Sequence, residues 1–383
     1  MNILILSYEY PPIGGGGGVV VRELAIRFVQ LHHDVRVLTM GMGTEIEQET
    51  VQGVHVVRLP VGRRNPTVAR FTEMVRYLYS GYRWVQEYIR LHRPDAIHAH
   101  FIVPTGILAA FIRRRWSIPF VITAHGSDVP GHHPTKMAAL HRWTPPAIAR
   151  ILISAEAVVM HSNYLASKLR EMSFFPKKIA LQVVPNGVDY NRFAPATKKP
   201  YALMITRLIP GKGLEEVVRA WTEAEFQIPL HIMGDGPLMP ELRRLAEGLP
   251  GVIVFHGWMD NLSEDYRNWL AEAAVFLLPS ARENSSMVLL EAMAAGCAVI
   301  TSTAPGCTEM VGDTAVCVPH GQTEPIIAAV KGLMEQGGQS GTLDVERCEQ
   351  LGIRARNRAI ERFNWDQIAQ QYLQLLSPKT DPR

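Results

Sequence analysis

Two glutamates eight positions apart, Glu283 and Glu291, stand in the stretch "SARENSSMVLLEAMAAGCAVITS". The run "AVFLLPS" before them reads as a strand that delivers Arg282 and Glu283 into a loop. A helix is expected from about Ser286, with Asn284 and Ser285 suited to cap it, so Glu291 falls about a turn and a half inside. Both carboxylates could then reach a ligand resting on the helix N-terminus, where unpaired N–H groups favour a phosphate or hydroxyls. Within "MVLLEAMAAG" a glutamate is costly unless hydrogen-bonded, and the vicinal diol of a nucleotide is a fitting partner for it. The alternative is a helix whose glutamate is satisfied within the protein.

A second candidate lies near the start, in "YEYPPIGGGGGVVVRELAIRF". Gly14 to Gly18 separate a strand from the helical segment "VVVRELAIRFVQLHH" and offer backbone N–H groups and a helix dipole to an anion, with no side chains in the way. A phosphate is the natural guest. The dinucleotide motif GxGxxG cannot be drawn, because its sixth position falls on Val19, Val20 or Val21, and no carboxylate closes the second strand. The "GKG" at Gly211–Gly213 lacks the upstream glycine and the Ser/Thr of a Walker loop. The plainer alternative is a flexible surface turn. Histidines form a third candidate: His98 and His100 end the strand "DAIHAH", and His125, Asp128, His132 and His133 follow. A metal-dependent hydrolase could be built on His98, His100 and His125. Against it, no carboxylate beyond Asp95 and Asp128 has ligand spacing, and the second half of the chain would have no task.

Positioning these groups falls to a repeated strand and helix alternation. The runs "NILILS", "DVRVLT", "VHVVRL", "DAIHAH", "PFVITAH", "AVVMHS" and "IALQVVP" are separated mostly by segments of helical period, which implies a parallel α/β sheet. After "NGVDYNRFAPATKKP" the pattern restarts with "YALMITR", "PLHIMG", "VIVFHG", "AVFLLPS", "CAVITS" and "AVCVP". Two doubly wound domains are therefore expected, over residues 1–190 and 191–364, with a terminal helix and tail over 365–383 that could pack back on the first domain. The cleft between the domains becomes the default site, since open α/β sheets bind ligands at the carboxyl ends of their strands.

The chain of 383 residues is 47% hydrophobic, enough for more than one core, and disorder is excluded. "MNILILSYEY" reads as a first strand and not as a signal peptide, and "FIVPTGILAAFI" is too short to cross a bilayer. A cytoplasmic protein is expected. Cys297, Cys307, Cys317 and Cys348 form no CxxC pair and read as reduced structural thiols. Residues 1–190 carry 21 Lys and Arg against 13 Asp and Glu, and the remainder 18 against 23. The basic first half should face something anionic.

Glu283 and Glu291 as E-x7-E followed by "EAMAAG", together with the glycine loop, "HGSD" at His125–Asp128, "VPNGVD" at Val184–Asp189, "TRLIPGKG" and "GDGP" at Gly234–Pro237, resemble the retaining glycosyltransferases of family 4. Order and spacing match over nearly the whole chain. The resemblance implies a GT-B fold: two Rossmann-like domains facing each other across a cleft, the first on the acceptor side and the second binding a nucleoside-diphosphate sugar. It implies that backbone at Gly15, Gly16 and Gly17 lies against the donor, and that Arg207 and Lys212 neutralise the diphosphate and the charge growing on the leaving group. Glu291 would bind the ribose, Glu283 the transferred sugar, and Asn284 with the amides after it, to Met287 and Val288, would seat sugar and phosphate. Asn186 and Gly234 belong to motifs on the donor side, Trp258 in "HGWM" would frame the base, and His125 would sit by the reacting carbon. Catalysis would rest on His125, Glu283, Arg207 and Lys212, without a covalent nucleophile, a cofactor or a metal. The chain departs from the family pattern at Asn284, Ser285 and Ser286, where a glycine and an aromatic are frequent, and at Gly306–Cys307, where paired glycines are usual.

The acceptor side is read from "RFTEMVRYLYSGYRWVQEYIRLHRP", helical in period, with Arg76, Arg83 and Arg90 near one face and aromatics interleaved. With Arg63, Arg64, Arg113 and Arg114 it could lie on anionic headgroups and admit a lipid-linked acceptor. The alternative is a solvated helix with core aromatics, its Glu73 and Glu87 placed three before Arg76 and Arg90. The expected partners are a nucleotide sugar, a glycolipid or saccharide acceptor and an anionic membrane surface at the inner face, with no nucleic acid. The expected setting is glycolipid, lipopolysaccharide or polysaccharide synthesis for the cell envelope.

Overall fold

A computed structural model describes residues 1–126, 128–129, 145–172, 175–176, 179–249, 251–335 and 342–377. The chain divides into two compact units, one of residues 1–186 with the C-terminal segment from Trp365, the other Gly187–Asn364. The division falls ahead of the 190/191 boundary drawn from the sequence.

The first unit is built on β1 (Asn2–Leu6), β2 (Asp34–Gly41), β3 (Glu47–Val51), β4 (Val54–Pro60), β5 (Ala96–His100), β6 (Phe120–Ala124), β7 (Ala157–Met160) and β8 (Leu181–Val183). Their order is β3-β4-β2-β1-β5-β6-β7-β8. Pairing is parallel except for β3, which runs antiparallel to β4. β1 lies in the interior, with Ile3 through Leu6 fully buried, which is why "NILIL" is continuously apolar. Ile5 pairs with Val37 on one side and His98 on the other, so strand order reverses around β1. The chain leaving β1 therefore enters the switch point of the sheet, where open α/β folds hold ligands.

The helix Trp365–Leu376 belongs to this unit. Asp366 accepts from Arg27 Nε at 3.1 Å, and the buried Tyr372 ring lies 4.9 Å from that of His98.

The second unit holds β9 (Lys199–Ile205), β10 (Leu230–Met233), β11 (Ile253–Gly257), β12 (Ala273–Leu278), β13 (Ala298–Ser302) and β14 (Val316–Val318), all parallel, in the order β11-β10-β9-β12-β13-β14. Its switch point lies between β9 and β12. Trp221, fully buried on the helix Leu214–Glu223, anchors one face and satisfies its indole N–H on Ile228 O at 2.8 Å. All four cysteines are free thiols, and three of them are buried.

Candidate active site

In the second unit the loops that leave β9, β10 and β12 are tied to one another. Gly211 O accepts from Ala281 N–H at 2.9 Å and from Ser280 Oγ at 3.2 Å, which stitches the "PGKG" turn to the loop that carries Glu283. Gly213, at φ 76°, begins the helix Leu214–Glu223, and a Cβ there would stand 2.5 Å from Pro279 O. Gly234, at φ 132°, packs its backbone on Thr206 O, while Leu208 N–H donates to Asp235 O at 3.0 Å. Arg207 is exposed and stands between Thr206 and Leu208, whose backbones meet the "GDGP" turn.

These ties bring Lys212 Nζ to 2.6 Å from Glu283 Oε1. The two side chains are only 17% and 11% exposed, so the pair sits in a largely dry place, though 71 positions apart in sequence. Gly306 opens the helix Pro305–Val311 directly against Glu283 O, and any larger residue there would collide with that carbonyl. The departure at Gly306–Cys307 keeps the glycine that touches Glu283 and buries the cysteine, whose Sγ lies 3.4 Å from Ser302 Oγ.

Helix Met287–Ala294 follows, with Ser286 as its N-cap and no side-chain capping bond, in place of the Asn284 and Ser285 cap expected. Ser286 N–H instead points at Met310 Sδ, 3.1 Å away. Met287 and Val288 are half-buried at the first turn. Glu291, on the next turn, is 5% exposed, and its Oε2 accepts from Tyr266 Oη at 2.6 Å. Burial first, and the Glu291 carboxylate next, raise the Tyr266 hydroxyl well above its ordinary range and keep it a donor. Tyr266 was not picked out from the sequence; nothing local in "SEDYRNWL" marks it. Trp258, after Gly257 at the end of β11, is 74% exposed.

The glycine run of the first unit divides by task. Gly14 has φ 104°, Gly15 is the N-cap, and Gly16 to Gly18 form the first turn of the helix Gly16–Gln30, so the helix begins inside the run and not after it. Gly15 N–H donates to Glu9 Oε2 at 3.1 Å. A Cβ on Gly17 would lie 2.7 Å from Phe101 Cζ and 3.5 Å from His125 Cγ, so Gly17 is small because it packs against the residues that follow β5 and β6. Asn186 is buried at the end of this unit.

His98, His100, His125 and His161 group around His125, with His100 Nδ1 3.0 Å from His125 Nε2. Burial pushes all four down, His98 to about 3 and His161 to about 4, so the rings are neutral at physiological pH. Asp128, the carboxylate of the proposed metal set, accepts from the backbone N–H of His125 at 2.9 Å and of Ile102 at 2.7 Å. Burial raises it to about 6. Among the described residues no group of three or more His, Cys, Asp or Glu is arranged to hold a metal ion; His132 and His133 lie outside them.

The helix Phe71–Leu91 mixes both readings drawn for it. Tyr77 is buried and donates to Leu38 O, and Tyr88 is core. Glu73 accepts from the backbone N–H of Arg70 and Arg64 and so fastens the helix start, in place of the pairing with Arg76 expected. Arg63 is buried and donates to Tyr8, Asn65 and Pro66 carbonyls, which removes it from any headgroup surface. Arg76 reaches Val61 O, Arg83 lies 5.9 Å from the centre of the Tyr79 ring, and Arg113 is paired with Glu156 at 2.5 Å. Arg90 and Arg114 are exposed. Phe71, Val75 and Tyr79, spaced by four, are 64%, 48% and 65% exposed and form an apolar row on the helix surface, whereas Tyr77 and Tyr88 are core as the second reading has it. No helix among the described residues is long and apolar enough to cross a membrane.

Residues 14–192 match the family model described as "Glycosyltransferase Family 4", and residues 199–336 the one described as "Glycosyl transferases group 1". The chain is 25% identical over its full length, and the full length of the relative, to a GDP-mannose-dependent alpha-(1-6)-phosphatidylinositol monomannoside mannosyltransferase from Mycolicibacterium smegmatis. It is 28% identical to a glycogen synthase from Mycobacterium tuberculosis, covering 96% of this chain and 92% of that one. Among solved structures it resembles sucrose-phosphate synthase from Thermosynechococcus elongatus, with a TM-score of 0.80 and 22% identity over 98% of both chains. The fold is GT-B.

Proposed function

Because the chain belongs to glycosyltransferase family 4, a retaining, nucleotide-sugar-dependent group, we propose that it transfers a sugar to a hydroxyl of a cell-envelope glycolipid or polysaccharide, with Arg207, Lys212, Glu283 and Glu291 holding the donor. The observation that carries this reading is the Lys212–Glu283 pair at 2.6 Å, joined by backbone bonds at the carboxyl ends of β9 and β12. A cation and a carboxylate in a largely dry pocket are what a donor needs: the cation for the diphosphate, the carboxylate for the hydroxyls of the sugar.

In this reading the bond from the anomeric carbon to the diphosphate oxygen breaks as the acceptor oxygen approaches on the same face. The acceptor's proton passes to the departing phosphate oxygen. Negative charge grows on the diphosphate, where Arg207, Lys212 and the amides from Asn284 to Val288 meet it. Glu291 takes the ribose hydroxyls with lone pairs beyond the one bonded to Tyr266. Gly234 lets the "GDGP" turn close on Arg207, and Trp258 offers its face to the base. In the first unit, His125 and the Gly15–Gly17 backbone are assigned to the sugar and phosphates, and Asn186 to the donor side. Neither a cofactor nor a metal is given a step.

The acceptor class rests on the helix Phe71–Leu91. Its exposed Phe71, Val75 and Tyr79, with Arg83, Arg90 and nearby Arg114, suit an anionic membrane surface, and Arg76 and Arg113 border it. The likeness to a mannosyltransferase named for a phosphatidylinositol mannoside supports a lipid-linked acceptor.

The test is release of nucleoside diphosphate from a panel of UDP-, GDP- and ADP-sugars, with and without EDTA. Slow hydrolysis of one donor, unchanged by the chelator, is expected. No release from any donor contradicts the donor assignment, and loss of release in EDTA contradicts the metal-free one.

A further inference from the structure

We infer that His100 is a positioning residue: one hydrogen bond from its Nδ1 holds the His125 ring in the tautomer protonated on Nδ1, so that His125 meets the donor sugar as a hydrogen-bond donor there. The last clause rests on the proposed place of His125 at the sugar; the tautomer itself does not.

Four histidine rings are contiguous, with centroids 4.1 Å apart for His98 and His100, 5.3 Å for His100 and His125, and 5.0 Å for His125 and His161. Neutral imidazole has one N–H and one lone pair, and which nitrogen holds the proton is set by the bond its neighbour makes. Three buried nitrogens of this histidine cluster have no partner among the described residues: His98 Nδ1, His100 Nε2 and His161 Nε2. Orphaned buried N–H groups are rare and costly, so each of these nitrogens should be the lone pair.

His161 supports the rule independently. Its Nδ1 lies 3.0 Å from Val184 O, a carbonyl that can only accept, so the proton is on Nδ1 and the orphan Nε2 is a lone pair. Applied to His98, the rule puts the proton on Nε2, donating to Thr123 Oγ1 at 2.8 Å, whose own hydroxyl then reaches Tyr372 Oη at 3.4 Å. Applied to His100, it puts the proton on Nδ1, donating to His125 Nε2 at 3.0 Å. An accepting Nε2 leaves the His125 proton on Nδ1.

The rest of the surroundings hold the ring without choosing its tautomer. Asp128 fixes the His125 backbone N–H, the Phe101 ring packs 4.4 Å away, and Gly17 leaves room beside Cγ. Among the described residues, the bond from His100 is the contact that discriminates between the two nitrogens.

The experiment is imidazole 15N NMR on histidine-labelled full-length protein, with His125 assigned by difference from His125→Gln, combined with donor turnover. Wild type should show His125 protonated on Nδ1. His100→Leu should move the proton to Nε2 or leave a mixture, and lower kcat about 10- to 100-fold with a smaller change in donor KM. His100→Asn, which keeps an N–H near the same place, should restore the Nδ1 tautomer and most of the turnover. An Nε2-protonated His125 in wild type, or an unchanged tautomer in His100→Leu, overturns the inference, and the wild-type spectrum decides even if the leucine variant does not fold. A changed tautomer with unchanged turnover upholds the role of His100 and overturns the placement of His125 at the sugar.

Discussion

Replacing Lys212 with alanine should harm the protein in two separable ways. Lys212 Nζ and Glu283 Oε1 are 2.6 Å apart, with side chains 17% and 11% exposed. Removing the lysine strands the Glu283 carboxylate in a place where water reaches it poorly. Breaking a fully buried pair costs about 3–5 kcal/mol, and the residual exposure here brings that to about 2–3 kcal/mol. For a unit of this size that lowers the melting temperature by about 5–10 °C. The chemical loss is separate, because a cation aimed at the growing phosphate charge is worth about 10²–10³ in kcat. Lys212→Ala with Glu283→Gln tests the division, since the double variant no longer holds an orphaned charge. Calorimetric melting of the double variant should return to within about 1 kcal/mol of wild type, while release of nucleoside diphosphate stays at the level of Lys212→Ala or below. Recovery of turnover with stability, or full turnover in Lys212→Ala, would refute the role given to the lysine and reduce the pair to a structural clamp.

Gly15→Ala should keep its stability within about 0.5 kcal/mol, since nothing lies within 4 Å of the added methyl, yet lose donor turnover severalfold. Gly17→Ala should lose about 1–3 kcal/mol and more turnover, because its methyl meets Phe101 beside His125; urea titration and turnover of the two variants check the contrast. The four clustered histidines stay neutral in the fold but bind protons in the unfolded chain below about pH 6.5, so their contribution is full above that pH and is lost as pH falls towards 4. Asp128, raised to about 6, opposes them by one proton: its contribution is full below about 4 and is lost as pH rises through 6. The urea midpoint should therefore be lower at pH 5 than at pH 7, and His161→Phe should flatten the dependence by up to about 1.4 kcal/mol per pH unit; a higher midpoint at pH 5 contradicts this. Phe71→Ser with Tyr79→Ser should abolish flotation with anionic liposomes while leaving donor hydrolysis intact, and equal flotation of variant and wild type would remove the helix from the membrane surface.

Of the fourteen strands among the described residues, thirteen are legible as apolar runs, because most parallel strands are covered on both faces and are rich in Val, Ile, Leu and Ala. β3, "EQETV", has every residue exposed and is held by its antiparallel pairing to β4, so no hydrophobic pattern announces it. The nearness of Lys212 to Glu283 follows from β9 and β12 being neighbours at the switch point, a fact of topology that spacing along the chain does not contain. Tyr266 on Glu291, Gly306 on Glu283 and His100 on His125 are contacts between residues at least 23 positions apart. Residue type can say that a buried glutamate needs a donor, but only the packed fold says which one. The presence of the glycine run at the strand-to-helix turn is legible in the sequence. That three of its members form a helix turn, with Gly17 against Phe101 and His125, depends on β5 lying beside β1 and β6 beside β5. The role of Arg63 is hidden for a related reason: a basic residue reads as surface, whereas here three carbonyls draw it inside.

The central claim is that the second unit holds the nucleoside diphosphate through Lys212 and Glu291. Calorimetric titration of wild type, Lys212→Ala and Glu291→Gln with UDP, GDP and ADP, and with the matching nucleosides, tests it most directly. One diphosphate should bind wild type at one per chain, Lys212→Ala should weaken the diphosphate at least tenfold while leaving the nucleoside unchanged, and Glu291→Gln should weaken both. Absence of diphosphate binding to wild type, or binding to both variants as tight as to wild type, would contradict the account.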